Sequence, residues 1–253
     1  MSETINLSHF KNYLTDDDIW LPISKDKEKK IYLSKLKEVE SYLISGTNEQ
    51  KGESLEKLMT FIYSRFTSVK VKANIRTSDN QLDHEIVFSE YGLPPFISTK
   101  MGTKIIGESK NHNRTVSSRE VDNLDGLLRI RNSNFGIISS YHPFSRGRSS
   151  VWVNGEGKRR KLALLSDYRR IIIGIHYKDL LRLSEGENFY TIIQQKYNLL
   201  IDELADDYVE DSISHYHKRI YESFEDLSKK GIIPQDHLIT YKNNLITKYG
   251  PLK

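Results

Sequence analysis

An apolar strand, a capped helix and a second apolar strand follow one another between residues 104 and 140, and this order strongly constrains the fold. Lys104–Ser109 and Phe135–Ser140 are apolar runs of strand length. Between them, Ser117-Ser-Arg-Glu120 is a capping-box pattern, which is typical of the start of a helix. A strand–helix–strand unit makes its two strands parallel, with a right-handed crossover. The sequence therefore predicts an α/β fold with parallel strands at its centre.

Two further strands precede this unit. Residues 69–76 alternate apolar and polar side chains, which predicts a half-exposed strand, and residues 53–66 before them repeat apolar side chains at helical spacing. Thr77–Asn80 has turn composition, and Leu82–Phe88 is expected to return antiparallel to the first strand. Because this pair is antiparallel and the later strands are parallel, the predicted central sheet is mixed and is flanked by helices.

The second half of the chain is predicted to close the sheet and then continue as helices. Lys161–Tyr168 is interpreted as a second crossover helix and Arg170–His176 as another buried strand. From Asp179 onward the apolar residues recur at helical spacing. We therefore expect three regions: a helical N-terminal extension (1–50), an α/β core (51–185) and a helical C-terminal extension (186–253). Residues 45–52 are interpreted as a linker, and Thr15 as the cap of a short turn.

Composition excludes several classes of protein. The 253 residues contain no cysteine, which excludes disulfides, thiolate metal sites and cysteine nucleophiles and fits the cytoplasm. No window approaches the roughly 20 apolar residues of a membrane span, so no membrane partner is expected. The N-terminal residues do not resemble a signal peptide.

Charged residues on the two central strands predict a site for a hard cation. Side chains alternate faces along a strand, so Asp83 and Glu85 share a face, as do Glu108 and Lys110. If the two strands are neighbours, Asp83 and Glu108 converge with a lysine beside them, which suits a divalent cation that holds a reactive water. Glu-x-Lys occurs four times in the chain, but only Glu108-x-Lys110 lies on an apolar strand.

A basic segment predicts a surface for a polyanion. Residues 145–170 contain eight Lys or Arg and two Asp or Glu, a net charge of +6, although the whole chain carries only +4. We interpret residues 145–161 as a basic loop that contacts DNA phosphates, with a purely solvated loop as the alternative. The DNA-binding candidates are Arg146, Arg148, Lys158, Arg159, Arg160 and Lys161.

The order of these elements resembles the PD-(D/E)XK nuclease superfamily and, within it, the Mrr-like restriction endonucleases. The resemblance covers about residues 52–200. It is carried by Leu55-Glu56, by the strand that ends Glu108-Ser-Lys110-Asn-His, by the helix and strand that follow, and by Ile171-Ile-Ile-Gly-Ile. Leu82, and not proline, precedes Asp83, at a position that varies in the superfamily. The resemblance implies a restriction-endonuclease-like core.

The resemblance also implies an activity, Mg²⁺-dependent hydrolysis of DNA phosphodiester bonds, with Mn²⁺ as a substitute metal. Asp83 and Glu108 would ligate the metal, and Lys110 would orient the attacking water or stabilise the transition state. Glu56 would hold a second metal or a metal-bound water, unless it is an ordinary exposed helix glutamate. Glu85 is an alternative ligand to Asp83.

Other residues have plainer interpretations. Asn111 and His112 follow the motif and could touch the scissile phosphate, with a solvated loop favoured for His112. Trp20 and Trp152 are expected to be packing residues. His215 and His217 are two residues apart on a predicted helix and point in different directions, so a zinc site is not expected.

The predicted function is therefore a metal-dependent endonuclease that acts on double-stranded DNA in restriction or anti-phage defence, together with partner proteins of a defence system. A structure-specific resolvase or a repair nuclease on the same scaffold is an alternative. A non-catalytic DNA-binding protein on a nuclease fold is another. The apolar stripes from Phe189 to Leu227 exceed what the core needs, which predicts a homodimer.

Overall fold

A mixed five-stranded sheet organises the protein. The computed structural model describes residues 15–76, 81–90, 93–144 and 154–209, and beyond these residues 221, 224–225, 227–229, 231 and 233–249. The strands are β1 (Val69–Arg76), β2 (Gln81–Phe88), β3 (Lys104–Lys110), β4 (Phe135–Ser140) and β5 (Ile171–His176), and their order in the sheet is their order in the chain.

Strand directions confirm the predicted topology. β1 pairs antiparallel with β2, and β2 pairs antiparallel with β3. β3, β4 and β5 are mutually parallel, with Lys110 opposite Ser140 and Ser140 opposite His176. The carboxyl ends of the three parallel strands therefore lie side by side at one edge of the sheet.

Helices precede, connect and follow these strands along the chain. Along the chain the helices with defined bounds are α1 (Asp16–Ile19), α2 (Asp26–Ser45), α3 (Asn48–Tyr63), α4 (Ser118–Ile130), α5 (Asn154–Leu165), α6 (Tyr177–Ser184), α7 (Phe189–Val209) and α8 (His237–Tyr249). A short π-helix, Ile97–Met101, precedes β3. Thr15 caps α1 through Asp18, and Ser117 with Glu120 forms the predicted capping box of α4.

Apolar side chains cover one face of the parallel strands. Ile106, Ile138 and Ile172 lie on three neighbouring strands and pack with Val121 and Leu124 of α4 in one buried cluster. This is the packing that the apolar stripe of α4 predicts, because such a stripe is stable only against another apolar surface.

The N-terminal segment is joined to the same unit by buried polar contacts. The fully buried Trp20 donates from Nε1 to the carbonyl oxygen of Ile62 at 2.9 Å, which confirms it as a packing residue. The buried hydroxyl of Tyr32 donates to the carbonyl oxygen of Leu180 at 2.7 Å. Residues 15–45 therefore pack directly on the elements around the sheet.

Two predicted element boundaries are wrong. The linker predicted at 45–52 is mostly helix, because Thr47 accepts from the backbone N–H of Gln50 and begins α3 at Asn48. The second crossover helix begins at Asn154, and not at Lys161. Gly155 is buried in α5, where a Cβ atom would lie 2.5 Å from the carbonyl oxygen of Val116, so close packing explains this glycine.

The chain divides into two compact units, Met1–Asn198 and Leu199–Lys253. In the second unit the rings of Phe224 and Tyr241 lie 4.7 Å apart, and the Lys242 ammonium lies 5.3 Å from the Tyr221 ring. Within the described parts of both units, the helices are too short or too polar to cross a lipid bilayer.

Candidate active site

Asp83 and the Glu108–Lys110 segment meet where β2 and β3 run side by side. The backbone N–H of Ser109 donates to Oδ2 of Asp83 at 2.8 Å, so the Asp83 carboxylate lies beside the centre of the Glu-x-Lys segment. On β3 itself, Nζ of Lys110 donates to Oε1 of Glu108. Asp83 is only 6% exposed. The predicted convergence of two carboxylates and a lysine is present in the fold.

Burial and mutual repulsion change the titration of these groups. Burial, followed by the charge of Asp83, raises the pKa of Glu108 to about 7, although Lys110 opposes the rise. Burial also raises the pKa of Asp83, against the hydrogen bond from Ser109 and the charge of Lys110. For Lys110, burial lowers the pKa, but Glu108 and Asp83 outweigh it and the net shift is upward. The site is thus a buried cluster with more acidic than basic groups.

Glu56 belongs to the same cluster. It lies on α3, half-buried. Burial, and then the charge of Asp83, raises the pKa of its carboxyl group, while Lys110 lowers it. These electrostatic interactions mean that α3 brings Glu56 close enough to both residues to sense their charges. All four predicted catalytic residues therefore come together.

One carboxylate oxygen in this cluster lacks a partner. Glu108 Oε2 is buried and receives no hydrogen bond from any described residue, while Oε1 bonds Lys110. Among the described residues, no group of three or more His, Cys, Asp or Glu side chains is placed so that it alone could hold a metal ion. The oxygen donors nevertheless fit Mg²⁺, which keeps several waters and takes one or two protein carboxylates.

Glu85, the alternative ligand, has a different partner. Its Oε1 accepts from Nζ of Lys72 on β1 at 3.0 Å. Asp83, in contrast, accepts from the backbone N–H of Ser109, which lies between Glu108 and Lys110. The geometry therefore favours Asp83 as the carboxylate that faces Glu108.

The two residues after Lys110 are built into the protein. Asn111 is buried, and its Nδ2 donates to the carbonyl oxygen of Val39 at 3.2 Å, which joins the end of β3 to α2. His112 Nε2 lies 2.8 Å from Glu120 Oε1, and Nδ1 lies 3.0 Å from the carbonyl oxygen of Arg114. His112 lies in the predicted loop and is partly exposed, but both of its ring nitrogens contact acceptors of the protein.

Glu120 is an electrostatic neighbour that the sequence indicated only as a capping residue. Burial alone would raise its pKa, but hydrogen bonds from His112 and Ser117 lower it to about 2. Its charge also contributes to the raised pKa of Lys110. The capping box thus places near the site a carboxylate that stays ionised at neutral pH.

The basic residues at 158–161 lie on helix α5, so their predicted position in a loop is wrong. Arg159 makes a bidentate contact with Glu156, at 2.9 Å and 2.6 Å. The buried Arg160 donates from Nε to Glu156 at 2.9 Å. Lys158 pairs with Asp122 at 2.7 Å, and Lys161 is exposed. The ion pairs that Glu156 makes three and four residues along the chain stabilise this helix.

Several predictions fall outside the described residues. These are the turn at 77–80 and the roles of Arg146, Arg148, Trp152, His215 and His217.

Comparisons of the chain with protein-family models, with curated proteins and with solved structures find no match.

Proposed function

We propose that the protein is a metal-dependent DNA endonuclease on a restriction-endonuclease-like core. The observation that carries the proposal is the buried group of Asp83, Glu108 and Lys110, with Glu56 beside it and Glu108 Oε2 left without a hydrogen-bond partner. Bringing two largely buried carboxylates and the half-buried Glu56 together costs folding free energy, and such sites are commonly functional. The resemblance to PD-(D/E)XK nucleases agrees with the order of the elements that carry these residues.

The cofactor in this proposal is Mg²⁺, with Mn²⁺ as a substitute, held by Asp83 and Glu108 and assisted by Glu56. When bound, such an ion lowers the pKa of water and offsets phosphate charge. Asp83 is oriented for this role by the N–H of Ser109, and Glu108 offers Oε2.

Lys110 has a separate role in the proposal. Its side chain is largely buried and its ammonium group is bonded to Glu108, so it is oriented before any substrate binds. Because its pKa is raised, the group stays charged at neutral pH. A positioned ammonium donor stabilises the negative charge that develops on a phosphoryl oxygen during hydrolysis.

Double-stranded DNA is the proposed substrate, and the carboxyl edge of the parallel strands is its proposed approach. Lys110 is the last residue of β3, and the chain that follows carries His112 and Arg114 at this edge. Restriction or anti-phage defence in the cytoplasm, with defence-system proteins as partners, is the biological setting that we propose from the resemblance.

The test is incubation of purified protein with supercoiled plasmid in Mg²⁺ or in EDTA, with Glu108→Gln as the matched variant. We expect nicked and linear products only with Mg²⁺ and only from the wild-type protein. Parallel reactions with branched and methylated duplexes, with mapped ends, separate an endonuclease of linear duplex from a resolvase. DNA binding without cleavage under every condition would contradict the enzyme and favour a DNA-binding protein.

A further inference from the structure

Thr60 and His84 join helix α3 to strand β2 directly beside the acidic cluster. Thr60 lies one helical turn after Glu56, and its Oγ1 donates to the carbonyl oxygen of Glu56 at 2.8 Å. The same Oγ1 lies 2.8 Å from Nε2 of His84. Since His84 is the chain neighbour of Asp83, two hydrogen bonds connect the backbone of Glu56 to the residue next to Asp83.

The chemistry of these groups fixes the direction of both bonds. A carbonyl oxygen only accepts, so the single hydroxyl proton of Thr60 points to Glu56. Thr60 Oγ1 must then accept the proton of His84 Nε2. His84 Nδ1 agrees with this assignment, because it is buried and has no hydrogen-bond partner among the described residues. The link therefore depends on the hydroxyl at 60 and on a ring N–H at 84.

Tight packing holds the same link in place. His84 is fully buried, and its ring meets the edge of Tyr63 of α3 with 5.2 Å between centroids. His84 is paired with Gly107 of β3, where a Cβ atom would lie 2.9 Å from the Tyr63 hydroxyl and 3.2 Å from the Cβ of His84. Helix α3 thus lies directly against the strands that carry Asp83 and Glu108.

We propose that Thr60 and His84 are positioning residues that fix the Glu56 carboxylate relative to Asp83 and Glu108. Without such a link, repulsion between the carboxylates would favour movement of α3 away from the strands. This inference rests on the proposed function and deepens it, because it says how a helix residue is kept in a site otherwise built on two strands.

A double-mutant cycle tests the proposal. Thr60→Val keeps the shape of the side chain and removes the hydroxyl, and Glu56→Gln removes the charge that the link is proposed to position. The two single variants, the double variant and the wild type are compared for plasmid cleavage in Mg²⁺. Mn²⁺ binding without DNA is followed by electron paramagnetic resonance, so that one readout is independent of catalysis. Thr60→Ala repeats the cycle in case Thr60→Val does not fold.

Two controls separate positioning from general helix stability. Thr60→Ser retains the hydroxyl. Ser64→Ala removes another hydroxyl bond within the last turn of α3, from Ser64 Oγ to the carbonyl oxygen of Thr60 at 2.7 Å, on an exposed residue. Both controls should remain within about twofold of wild type, since neither breaks the connection to β2.

We expect Thr60→Val to lower kcat and Mn²⁺ affinity by about tenfold or more, as loss of a supporting hydrogen bond near a metal site commonly does. In the Glu56→Gln background the same change should have less than about a twofold effect, because its target is already gone. Equal losses in both backgrounds, with an active wild type, would overturn the positioning role and leave the nuclease intact. A wild type that neither cleaves DNA nor binds Mn²⁺ would overturn both proposals.

Discussion

The ammonium group of Lys110 donates a hydrogen bond to the carboxylate of Glu108, two residues earlier on the same strand. Both side chains are largely buried, with 28% and 15% of their surfaces exposed. Alternation along the strand makes the contact geometrically natural, because residues two apart point to the same face. Lys110 stabilises the charged form of Glu108, whereas the charges of Asp83 and Glu56 repel it.

Because the cluster has more negative than positive charge, removing a carboxylate and removing the ammonium group should change the melting temperature in opposite directions. Glu108→Gln and Lys110→Met should each reduce Mg²⁺-dependent cleavage by at least about a hundredfold. In EDTA, Glu108→Gln should melt at or above the wild-type temperature because it removes a repelled buried charge. Lys110→Met should melt roughly 5 °C lower because it leaves buried carboxylates uncompensated. Cleavage rates and thermal unfolding by circular dichroism measure both effects, and wild-type turnover by Glu108→Gln would contradict the proposed site.

Metal substitution should distinguish binding from cleavage. Mg²⁺ and Mn²⁺ should support cleavage, whereas Ca²⁺ should support DNA binding with little cleavage, because its coordination is looser and it acidifies water weakly. Gel-shift and cleavage assays with each ion at equal concentration measure this difference. Full activity in excess EDTA would mean that the carboxylates serve another purpose.

The pKa of Glu108 predicts how stability depends on pH. The pKa of Glu108 is about 7 in the folded protein, above its ordinary value of 4.5. Between pH 4.5 and pH 7 the folded protein therefore holds a proton that the unfolded chain has released. Stability in EDTA should therefore be highest near pH 5 and fall as pH rises through 7. Mg²⁺ should raise the melting temperature at pH 8 by at least about 2 °C and much less at pH 5.

Glu108→Gln is the control for this pH dependence. Glutamine does not titrate, so the melting temperature of the variant should fall much less between pH 5 and pH 8 than that of the wild type. The fall that remains should reflect Asp83 and Glu56, whose pKa values are also raised. A wild-type melting temperature that is flat or rises across this interval would show that the Glu108 carboxyl group is not perturbed in this way.

The basic residues of α5 should differ sharply in their effects. Lys158 and Lys161 are the more accessible, so replacing both with Ala should weaken binding to all duplexes alike. The log–log salt slope should become shallower by roughly one unit per lost phosphate contact. Arg160→Ala should instead destabilise the protein by about 3 kcal/mol, because it breaks a buried ion pair with Glu156. An unchanged salt slope for the double lysine variant would make these lysines ordinary surface charges.

Assembly is a further prediction. Cutting both strands of a duplex requires two sites or two visits, and two-fold dimers are the commonest oligomers. We expect a homodimer by light scattering at micromolar concentration, formed with the help of the helices after residue 186. Removal of residues 210–253 should shift the mass toward the monomer. A monomeric full-length protein whose double-strand cutting is first order in enzyme would contradict this prediction.

The succession of helices and strands along the chain and the parallel direction of β3 and β4 could be predicted because the sequence carries strong local signals for them. Phe135–Ser140 is an uninterrupted apolar segment, and Ser117 with Glu120 is a complete capping box, so both ends of the crossover are determined locally. The predicted site required β2 and β3 to be neighbours, a condition that no local pattern determines and that the fold meets.

Contacts between residues distant in sequence could not be predicted. The link from Thr60 to His84 spans 24 residues and depends on the close approach that Gly107 permits, which no local pattern reports. The start of α5 is not evident from the sequence for a related reason. Gly155 looks like a loop residue until its packing against Val116 is known. Local spacing thus predicted the acidic cluster, and tertiary packing determines what supports it.

Strand β1 is one of the two outer strands among those described, and this position has a consequence for self-association. Among the described strands β1 is at the margin, where a free row of backbone groups would invite another chain to add a strand. Lys70, Lys72 and Arg76 are exposed along it, and Asn74, at φ 52°, interrupts its extended backbone. Charge and a local twist both disfavour strand addition, so copies of this protein should resist fibrous aggregation through this margin even at high concentration.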